Sequence, residues 1–405
     1  MKQIIIIGGG AAGFFAAIRC AELAPGAKVA ILEKGKEVLG KVKISGGGRC
    51  NVTHACFEPR ELVKYYPRGS KELLGPFHHF SCGDTIAWFE QRGVKTKVET
   101  DGRVFPVTDN SQSIIDALVS AAQSAGVRIR TQQRVDALIP PSRNMPLWQV
   151  QTENKIYNAD KVLIATGSSS KIWELLKVLG HNIVPPAPSL FTFNIRDPLI
   201  AGLEGIATIN SQVQIPALKL KAEGPLLITH WGLSGPGILR LSAWGARLLA
   251  EKKYNFVLNV NWLNAPSDEV TAILNTAKTD WPRKQVLSHP LAGLPARLWR
   301  QLALAAGITT ELRWADANKS QLAQLMLQLC NSRLQVTGKS TFKEEFVTAG
   351  GVDLSEVNFK TFESKLHPGL YLAGEVLDID AITGGFNFQA AWTGGWIAGT
   401  AMAEE

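Results

Sequence analysis

The chain has 405 residues, of which 45% are apolar and 19% charged, a balance typical of a globular protein with two or three domains. Its formal net charge of +8 comes without a long block of Lys and Arg, so charge alone does not predict nucleic-acid binding. The five cysteines form no C-x-x-C pair, which argues against a disulfide framework and against a zinc site.

The apolar N-terminus fits either a secretory signal or a first buried strand. The run from Ile4 to Ile7 is short, glycines follow it at once, and Arg19 charges the next segment, which argues against a signal. No other stretch approaches the ~20 uncharged apolar residues that a membrane span needs. We therefore expect a cytoplasmic protein without membrane contact.

The second interpretation makes the N-terminus a βαβ unit. It places a strand at residues 3–7, a helix at residues 11–23 and a strand at residues 28–32. Gly8-x-Gly10-x-x-Gly13 links the first strand to the helix, and Glu33 ends the second strand. This order is the dinucleotide fingerprint, in which phosphates meet the helix N-terminus and the acidic residue binds a ribose. Glu33 disfavours NADP, and both FAD and NAD remain open at this point.

Residues 40–54 (GKVKISGGGRCNVTH) show neither helical nor strand periodicity, so we predict a loop. Its three consecutive glycines stand beside Lys41, Lys43 and Arg49. Glycines allow close approach of the backbone, and the cations suit an anion. The loop is therefore predicted to lie against an anionic or flat ligand.

Along the rest of the chain the pattern of predicted strands and helices changes twice. Patterns up to residue 170 and from residue 370 predict strands alternating with helices, the last helix running from Phe386 to Ala403. Between about 190 and 340, short alternating runs precede several short amphipathic helices. There, Gly235-x-Gly237 has Arg240 in place of the third glycine and is not a second dinucleotide fingerprint.

Three signatures together carry a family resemblance: GGGAAG at residues 8–13, VLIATGS at 162–168 and YLAGEVLDIDAITGGFNFQAAWTGG at 371–395. The set resembles the flavoproteins with two dinucleotide-binding domains, in the branch built like the FAD domain of glutathione reductase. The stretches KISGGGRCNVT and THWGLSGPGILRLS are similar to a bacterial NAD(P)/FAD-dependent oxidoreductase-like family, described as aminoacetone oxidase-like or bile-acid dehydro-steroid reductase-like.

This resemblance implies an α/β fold. A Rossmann-like FAD-binding domain with three layers and a parallel sheet would comprise residues 1–189 and 342–405. A β-barrel-like insertion would comprise residues 190–262 and 333–341, and a small helical unit residues 263–332.

The resemblance also implies which residues contact FAD. They are Gly8, Gly10, Ala11, Ala12, Gly13, Glu33, Lys34, Lys41, Ser45, Gly46, Gly47, Arg49, Cys50, Asn51, Val135, Ala165, Thr166, Gly167, Gly374, Glu375, Gly385, Phe386, Asn387, Phe388 and Gln389. The start of the last helix would stabilise the negative charge that reduction leaves on the flavin. Related flavoproteins often carry Asp where this chain has Glu375, so the contact of this side chain stays open.

The function expected from this resemblance is FAD-dependent oxidoreduction of a small organic substrate. Hydride would pass at flavin N5, by C=C reduction or amine oxidation, with NADH or NADPH as a diffusible reductant. The alternatives are a flavoenzyme acting on RNA or folate and a flavin-binding protein without turnover. Nucleic acid is not the expected partner, no metal site is expected, and the sequence does not fix the oligomeric state.

No catalytic acid stands out in the sequence. Cys50, beside Arg49, is a candidate because a neighbouring cation lowers a thiol pKa, and the alternative is a small packed side chain. Arg49 itself and His230 are further candidate proton donors, although His230 equally suits a hydrogen-bonded interior position.

Overall fold

The computed structural model describes residues 1–340 and 347–404. The chain folds as two compact units, the first made of residues 1–187 and 343–405 and the second of residues 188–342. The predicted boundary of the FAD-binding domain at residue 342 lies outside the described residues.

The first unit begins with strands and helices in alternation. Its strands in this part of the chain are β1 (Gln3–Ile7), β2 (Lys28–Leu32), β3 (Thr53–His54), β4 (Thr96–Val98), β5 (Arg103–Pro106), β6 (Arg128–Arg130), β7 (Val135–Ile139), β8 (Trp148–Thr152), β9 (Ile156–Ala159), β10 (Lys161–Ile164) and β11 (Ile183–Ser189), whose last two residues fall in the second unit. Its helices in this range are α1 (Ala11–Leu23), α2 (Gly40–Ile44), α3 (Pro59–Leu62), α4 (Ser70–His79), α5 (Cys82–Glu90), α6 (Gln112–Ser124) and α7 (Ser170–Val178).

The second unit combines a closed barrel with helices. Its strands are β12 (Thr192–Ile195), β13 (Ala207–Ile215), β14 (Leu220–Thr229), β15 (Gly232–Ser234), β16 (Phe256–Asn261) and β17 (Ser332–Ser340). Its helices are α8 (Pro236–Glu251), α9 (Ser267–Asp280), α10 (Ala296–Ala305) and α11 (Lys319–Asn331). The six strands close in the order β12-β15-β14-β13-β16-β17. Barrel residues such as Leu258 and helical residues such as Trp299 belong to one buried cluster, so barrel and helices share a core.

The chain then returns to the first unit with β18 (Val347–Val352), β19 (Val357–Asn358), β20 (Glu363–Ser364), β21 (Leu370–Leu372) and α12 (Phe386–Ala403). Its main sheet has the order β19-β20-β21-β10-β1-β2-β6. The pairs β21–β10, β10–β1, β1–β2 and β2–β6 are parallel. The predicted α/β fold with a parallel Rossmann-like sheet and a barrel-like insertion is confirmed.

Small residues bring α1 and α12 into close contact. A Cβ atom on Gly395 would lie 2.5 Å from the carbonyl oxygen of Ala12, and one on Gly399 would lie 2.6 Å from that of Ala16. Only glycine fits at these two positions of α12, because any side chain would collide with the backbone of α1. The last helix therefore packs directly against the helix that follows the N-terminal strand.

The predicted loop at residues 40–54 is in part helical. Residues Gly40–Ile44 form one helical turn, Ser45–Gly48 a 3₁₀ segment, and Thr53–His54 a short strand paired with β5. A single turn is too short to show a helical period, so the local sequence carries no signal for it. Val42 anchors the turn through its buried side chain.

None of the helices in the described part of the chain has the length and apolar character that a membrane crossing requires.

Candidate site at the carboxyl ends of the parallel strands

The glycines of the β1–α1 turn fall into two kinds. A Cβ on Gly8 would lie 2.4 Å from the carbonyl oxygen of Ala165, and one on Gly13 would lie 2.0 Å from that of Gly8. The packing of the protein itself therefore requires these two glycines. Gly10 differs, because its φ of −95° suits any residue and a Cβ there would meet no protein atom within 4 Å.

The open space beside Gly10 lies at the start of α1. No side chain caps this helix, and the first N–H groups of a helix have no acceptor within it. Together with the positive end of the helix dipole, these groups form a site for an anion such as a pyrophosphate. The geometry of the turn therefore fits a dinucleotide.

The carboxylate of Glu33 lies beside this turn at the end of β2. Its Oε2 accepts a hydrogen bond of 2.8 Å from the Gly9 N–H, and its Oε1 accepts one of 2.7 Å from the Gly35 N–H. Each carboxylate oxygen has a further lone pair, so the group can also accept from ribose hydroxyls. The N–H groups of Gln132 and Gln133 bond to the carbonyls of Gly35 and Glu33.

This pairing brings the start of β7 near the end of β2. Val135, predicted to meet the adenine, is the buried first residue of β7 and follows the Gln132–Gln133 segment closely. Lys34, predicted at the same end of the cofactor, is exposed.

Three further segments meet the β1–α1 turn. Ala165 follows β10 and donates from its N–H to the Ile7 carbonyl at 2.8 Å. Gly374 follows β21, where a Cβ would lie 3.3 Å from the Ala12 side chain. Glu375 places Oε2 2.5 Å from Lys41 Nζ and also near Gly167. Residues predicted from three distant parts of the sequence thus converge at the edge where ligands bind in parallel sheets.

The glycine run after α2 has a left-handed backbone. The φ angles of Gly46, Gly47 and Gly48 are 57°, 68° and 84°. A Cβ on Gly47 or Gly48 would meet no protein atom within 4 Å. The N–H of Ser111 donates to the Gly48 carbonyl at 2.8 Å, and its hydroxyl donates to the Lys43 carbonyl at 2.8 Å. The run is thus held in place with open space on one side.

Cys50 is packed inside the protein behind the glycine run. Its side chain is fully buried, its N–H donates to the Ser45 carbonyl at 3.0 Å, and burial raises the pKa of the thiol to about 12. Of the two interpretations of Cys50, the small packed side chain agrees with this burial, and the Arg49 guanidinium group is engaged elsewhere. It donates to Glu99 at 2.7 Å and lies 3.9 Å above the ring of Phe105.

The start of α12 is tied to the strand after this loop. A Cβ on Gly385 would lie 2.4 Å from the Thr53 carbonyl oxygen. The Asn51 amide, oriented to satisfy both neighbours, donates to that carbonyl and accepts from the Gly385 N–H, both at 3.0 Å. Asn51 therefore fixes the turn at which α12 begins.

The first side chains of α12 are held by the protein. Phe386 stacks on Tyr65 with ring centroids 4.3 Å apart, Phe388 stacks on Trp392, and Asn387 bonds to the Ala381 backbone. What this segment offers a ligand is therefore its backbone.

Gln389 lies in a buried polar cluster that the sequence did not reveal. Its Oε1 accepts from Thr53 at 2.6 Å and from Thr85 at 2.9 Å, and its Nε2 donates to Thr393 at 3.0 Å. All four side chains are fully buried. No local pattern marks such a cluster, because its members come from three separate segments.

An ion pair in front of α12 likewise has no signal in the local sequence. Arg68 bonds to the fully buried Asp380, connecting the segment before α4 to the loop that leads to α12. His230, by contrast, is exposed at the turn between β14 and β15 of the second unit. Among the described residues, no group of three or more His, Cys, Asp or Glu could hold a metal ion.

A family model described as "HI0933-like protein Rossmann domain" matches residues 2–401. The chain is 30% identical over 407 residues to a ribosomal RNA dihydrouridine synthase of Escherichia coli, covering 97% of this chain and 96% of that protein. It is 29% identical over 415 residues to a 3-dehydro-bile acid delta(4,6)-reductase of Clostridium scindens, covering 100% of both.

Solved structures share the fold at low identity. A 3-ketosteroid-delta4-(5alpha)-dehydrogenase of Rhodococcus jostii has a TM-score of 0.54 at 14% identity, covering 100% of this chain and 97% of that one. The open form of a flavocytochrome c3 fumarate reductase has a TM-score of 0.51 at 15% identity, covering 99% of this chain and 78% of that one.

Proposed function

The chain belongs to the HI0933-like family of FAD-binding Rossmann proteins and is an FAD-dependent oxidoreductase, and from this premise we propose that it reduces a C=C bond conjugated to a carbonyl group. The observation that carries the proposal is the similarity to two relatives over essentially their whole length. One is named for making dihydrouridine and the other for reducing a dehydro-bile acid.

The two names share one chemistry. Dihydrouridine forms when the ring C=C bond of a uracil beside a carbonyl is reduced, and a 3-dehydro-delta(4,6) bile acid also carries its C=C bonds in conjugation with a ketone. In both compounds the carbonyl makes the far carbon of the double bond electrophilic, so it accepts a hydride. We place the substrate of this chain in that chemical class, rather than among amines.

FAD, when bound, supplies two-electron transfer as a hydride at flavin N5. The residues around Gly10 and the N-terminus of α1 would bind its pyrophosphate, and Glu33 would bind the adenosine ribose. Backbone N–H groups after Gly385 would face the flavin pyrimidine and stabilise negative charge there. Asn51 would act indirectly, by holding the Gly385 turn in place.

The reductant is proposed to be a diffusible NADH or NADPH. Gly235-x-Gly237 starts α8, but Cβ atoms on both glycines would collide with β14, so the turn has no room for a second dinucleotide. The cysteines of the described residues are free thiols and form no disulfide that could store electrons. Electrons must therefore reach the flavin from outside the chain.

The test is an anaerobic two-stage titration of the purified, flavin-loaded protein. First, NADH or NADPH is added and the visible flavin absorbance is followed. Next, the reduced protein is mixed with a 3-keto-Δ4 steroid, with uridine-containing RNA, or with a saturated analogue of each as the matched control. We expect bleaching by a nicotinamide and reoxidation by at least one unsaturated compound, with none by the controls.

Two results would contradict this proposal. Bleaching by a primary amine without any nicotinamide would assign amine oxidation instead. A flavin that neither nicotinamides nor amines reduce would favour a binding protein without turnover.

A further inference from the structure

The positive charge of the chain is concentrated in the second unit. Residues 188–342 contain sixteen Lys and Arg against nine Asp and Glu, a net charge of +7 out of the +8 of the whole chain. The remaining residues contribute twenty-seven cations and twenty-six carboxylates, a net charge of +1. The first unit contains the proposed dinucleotide site at Gly10, the N-terminus of α1 and Glu33, called here the nucleotide cradle, so the excess charge is not explained by that ligand.

Part of this charge lies around an exposed tryptophan. Arg240 and Trp244 are one helical turn apart on the exposed face of α8, and Lys221 and Glu223 point outward from β14. Together these four side chains line one shallow depression. Trp244 is 47% exposed, an unusual exposure for a side chain of this size.

A row of polar side chains starts at Lys221 beside the depression and crosses the barrel. Cross-strand pairing joins Lys221 to Gln214, Gln214 to Asn259 and Asn259 to Arg333. Residues paired in this way share one face of the sheet. The row thus has a cation at each end and two amides between them. Asn259 Oδ1 is buried and has no hydrogen-bond partner within the described ranges.

One carboxylate opposes these cations. Glu223 lies 3.2 Å from Lys221 Nζ and accepts from Asn264 at 3.3 Å and Gln212 at 3.4 Å. Hydrogen bonds from Asn264 and Lys221 lower the pKa of Glu223, so it stays ionised. Lys221, Arg240 and Arg333 outnumber it, so the depression and the polar row together carry a net positive charge.

We propose that this face, made of Lys221, Arg240, Trp244, Gln214 and Arg333 and called here the barrel face, binds a single-stranded segment of RNA. The cations would contact phosphates, and Trp244 would stack on a base, the combination used to bind single strands. The inference rests on the proposed function, because it places the reducible bond in a base of RNA rather than in a free small molecule.

The test measures RNA binding by the full-length, flavin-loaded protein. The probe is a fluorescent oligouridylate of about 12 nucleotides, within the span of one single-strand site, and Kd is read from anisotropy between about 50 and about 200 mM salt. The triple variant Lys221→Ala/Arg240→Ala/Arg333→Ala is compared with Arg283→Ala/Arg300→Ala/Lys319→Ala. The second variant removes the same charge from exposed positions outside the barrel face.

We expect the first triple variant to bind at least about tenfold more weakly and its salt slope to fall by roughly 2, near 0.7 for each lost phosphate contact. The control variant should stay within about twofold of the wild type. Trp244→Ala should weaken binding about tenfold, and Trp244→Phe should restore most of it, because a phenyl ring also stacks. Melting temperatures of all variants verify that they are folded.

Three outcomes would overturn the inference. They are no RNA binding by the wild type at low salt, equal weakening by the two triple variants, and displacement of the RNA by poly-glutamate at equal charge, which would point to an acidic protein partner instead. Bleaching of the flavin by nicotinamides and its reoxidation by the 3-keto-Δ4 steroid are measured on the same samples. A failure of the proposed reduction is thereby distinguished from a failure of the barrel face.

Discussion

Two turns in this chain lead from a strand through glycines into a helix, and they have opposite explanations. At the start of α1, Gly10 lies in open space that no protein atom fills. At the start of α8, a Cβ on Gly235 would lie 2.8 Å from the Pro225 carbonyl and one on Gly237 2.9 Å from Leu226 Cδ2. The first turn leaves room for a ligand, whereas the second is filled by β14.

The comparison shows that a glycine before a helix indicates a ligand only when the space beside it is empty. Both turns read Gly-x-Gly in the sequence, although the second has Pro236 between its glycines and Arg240 in place of a third glycine. The packing around each turn supplies the physical reason, and it leads to opposite expectations for the same substitution.

The largest effect is expected for Gly10→Val. The new side chain would occupy the space proposed for the pyrophosphate and abolish retention of FAD, and we expect the fold to stay intact because a Cβ at this position meets no protein atom within 4 Å. The measurement is the ratio of flavin to protein absorbance after purification, with circular dichroism as the control for folding. A yellow, fully loaded variant would contradict the assignment of the cradle.

Gly237→Val should lower the stability of the protein and leave FAD binding unchanged. Its side chain would meet Leu226 in the core of the barrel and destabilise the protein by about 2 kcal/mol, as overpacking commonly does. The folded fraction should still carry FAD at the wild-type ratio. Denaturant unfolding measures the first quantity and visible absorbance the second. Loss of FAD without loss of stability would break the distinction between the two turns.

The smallest effect is expected for the pH dependence of stability, through a histidine of the first unit that lies away from the β1–α1 turn. His181 is fully buried and bonded to Glu356 at 2.7 Å and to Ser364 at 3.1 Å. Burial lowers the pKa of His181 below 6.5, although Glu356 opposes the shift. Below pH 6.5 the unfolded chain takes up a proton that the folded chain resists, so the stability present at neutral pH declines as the pH falls.

The measurement is the melting temperature between about pH 7.5 and about pH 5, a range that brackets the ordinary pKa of histidine. His181→Gln should flatten the decline, and His78→Gln is the matched control, because His78 is exposed on α4. Equal pH profiles for the wild type and His181→Gln would contradict the role given to this histidine.

Much of the fold followed from local patterns. The bounds predicted for the first strand, helix and second strand agree with β1, α1 and β2, and those of the last helix agree with α12. These elements are buried and carry strong apolar or small-residue patterns, so their signal is in the neighbouring sequence. The one-turn helix α2 had no such signal, because it is shorter than a period needs.

Only part of the candidate site could be predicted from local patterns. Its glycines and Glu33 carry a motif with a mechanism, whereas the resemblance alone suggested positions such as Gly374 and Gly385. The surroundings of Gln389 and Cys50 could not be read from sequence. Burial decides the pKa of Cys50. The hydrogen bonds of Gln389 depend on partners from distant segments of the chain.

The contact between α1 and α12 also has a consequence for biosynthesis. The helix that begins the cradle cannot acquire its neighbour until residues 386–403 have left the ribosome, nor can β10 gain β21. The second unit, by contrast, is continuous in sequence and can fold while the remainder is still being translated. FAD would therefore be captured only after this last helix has emerged, when the second unit has already had time to fold.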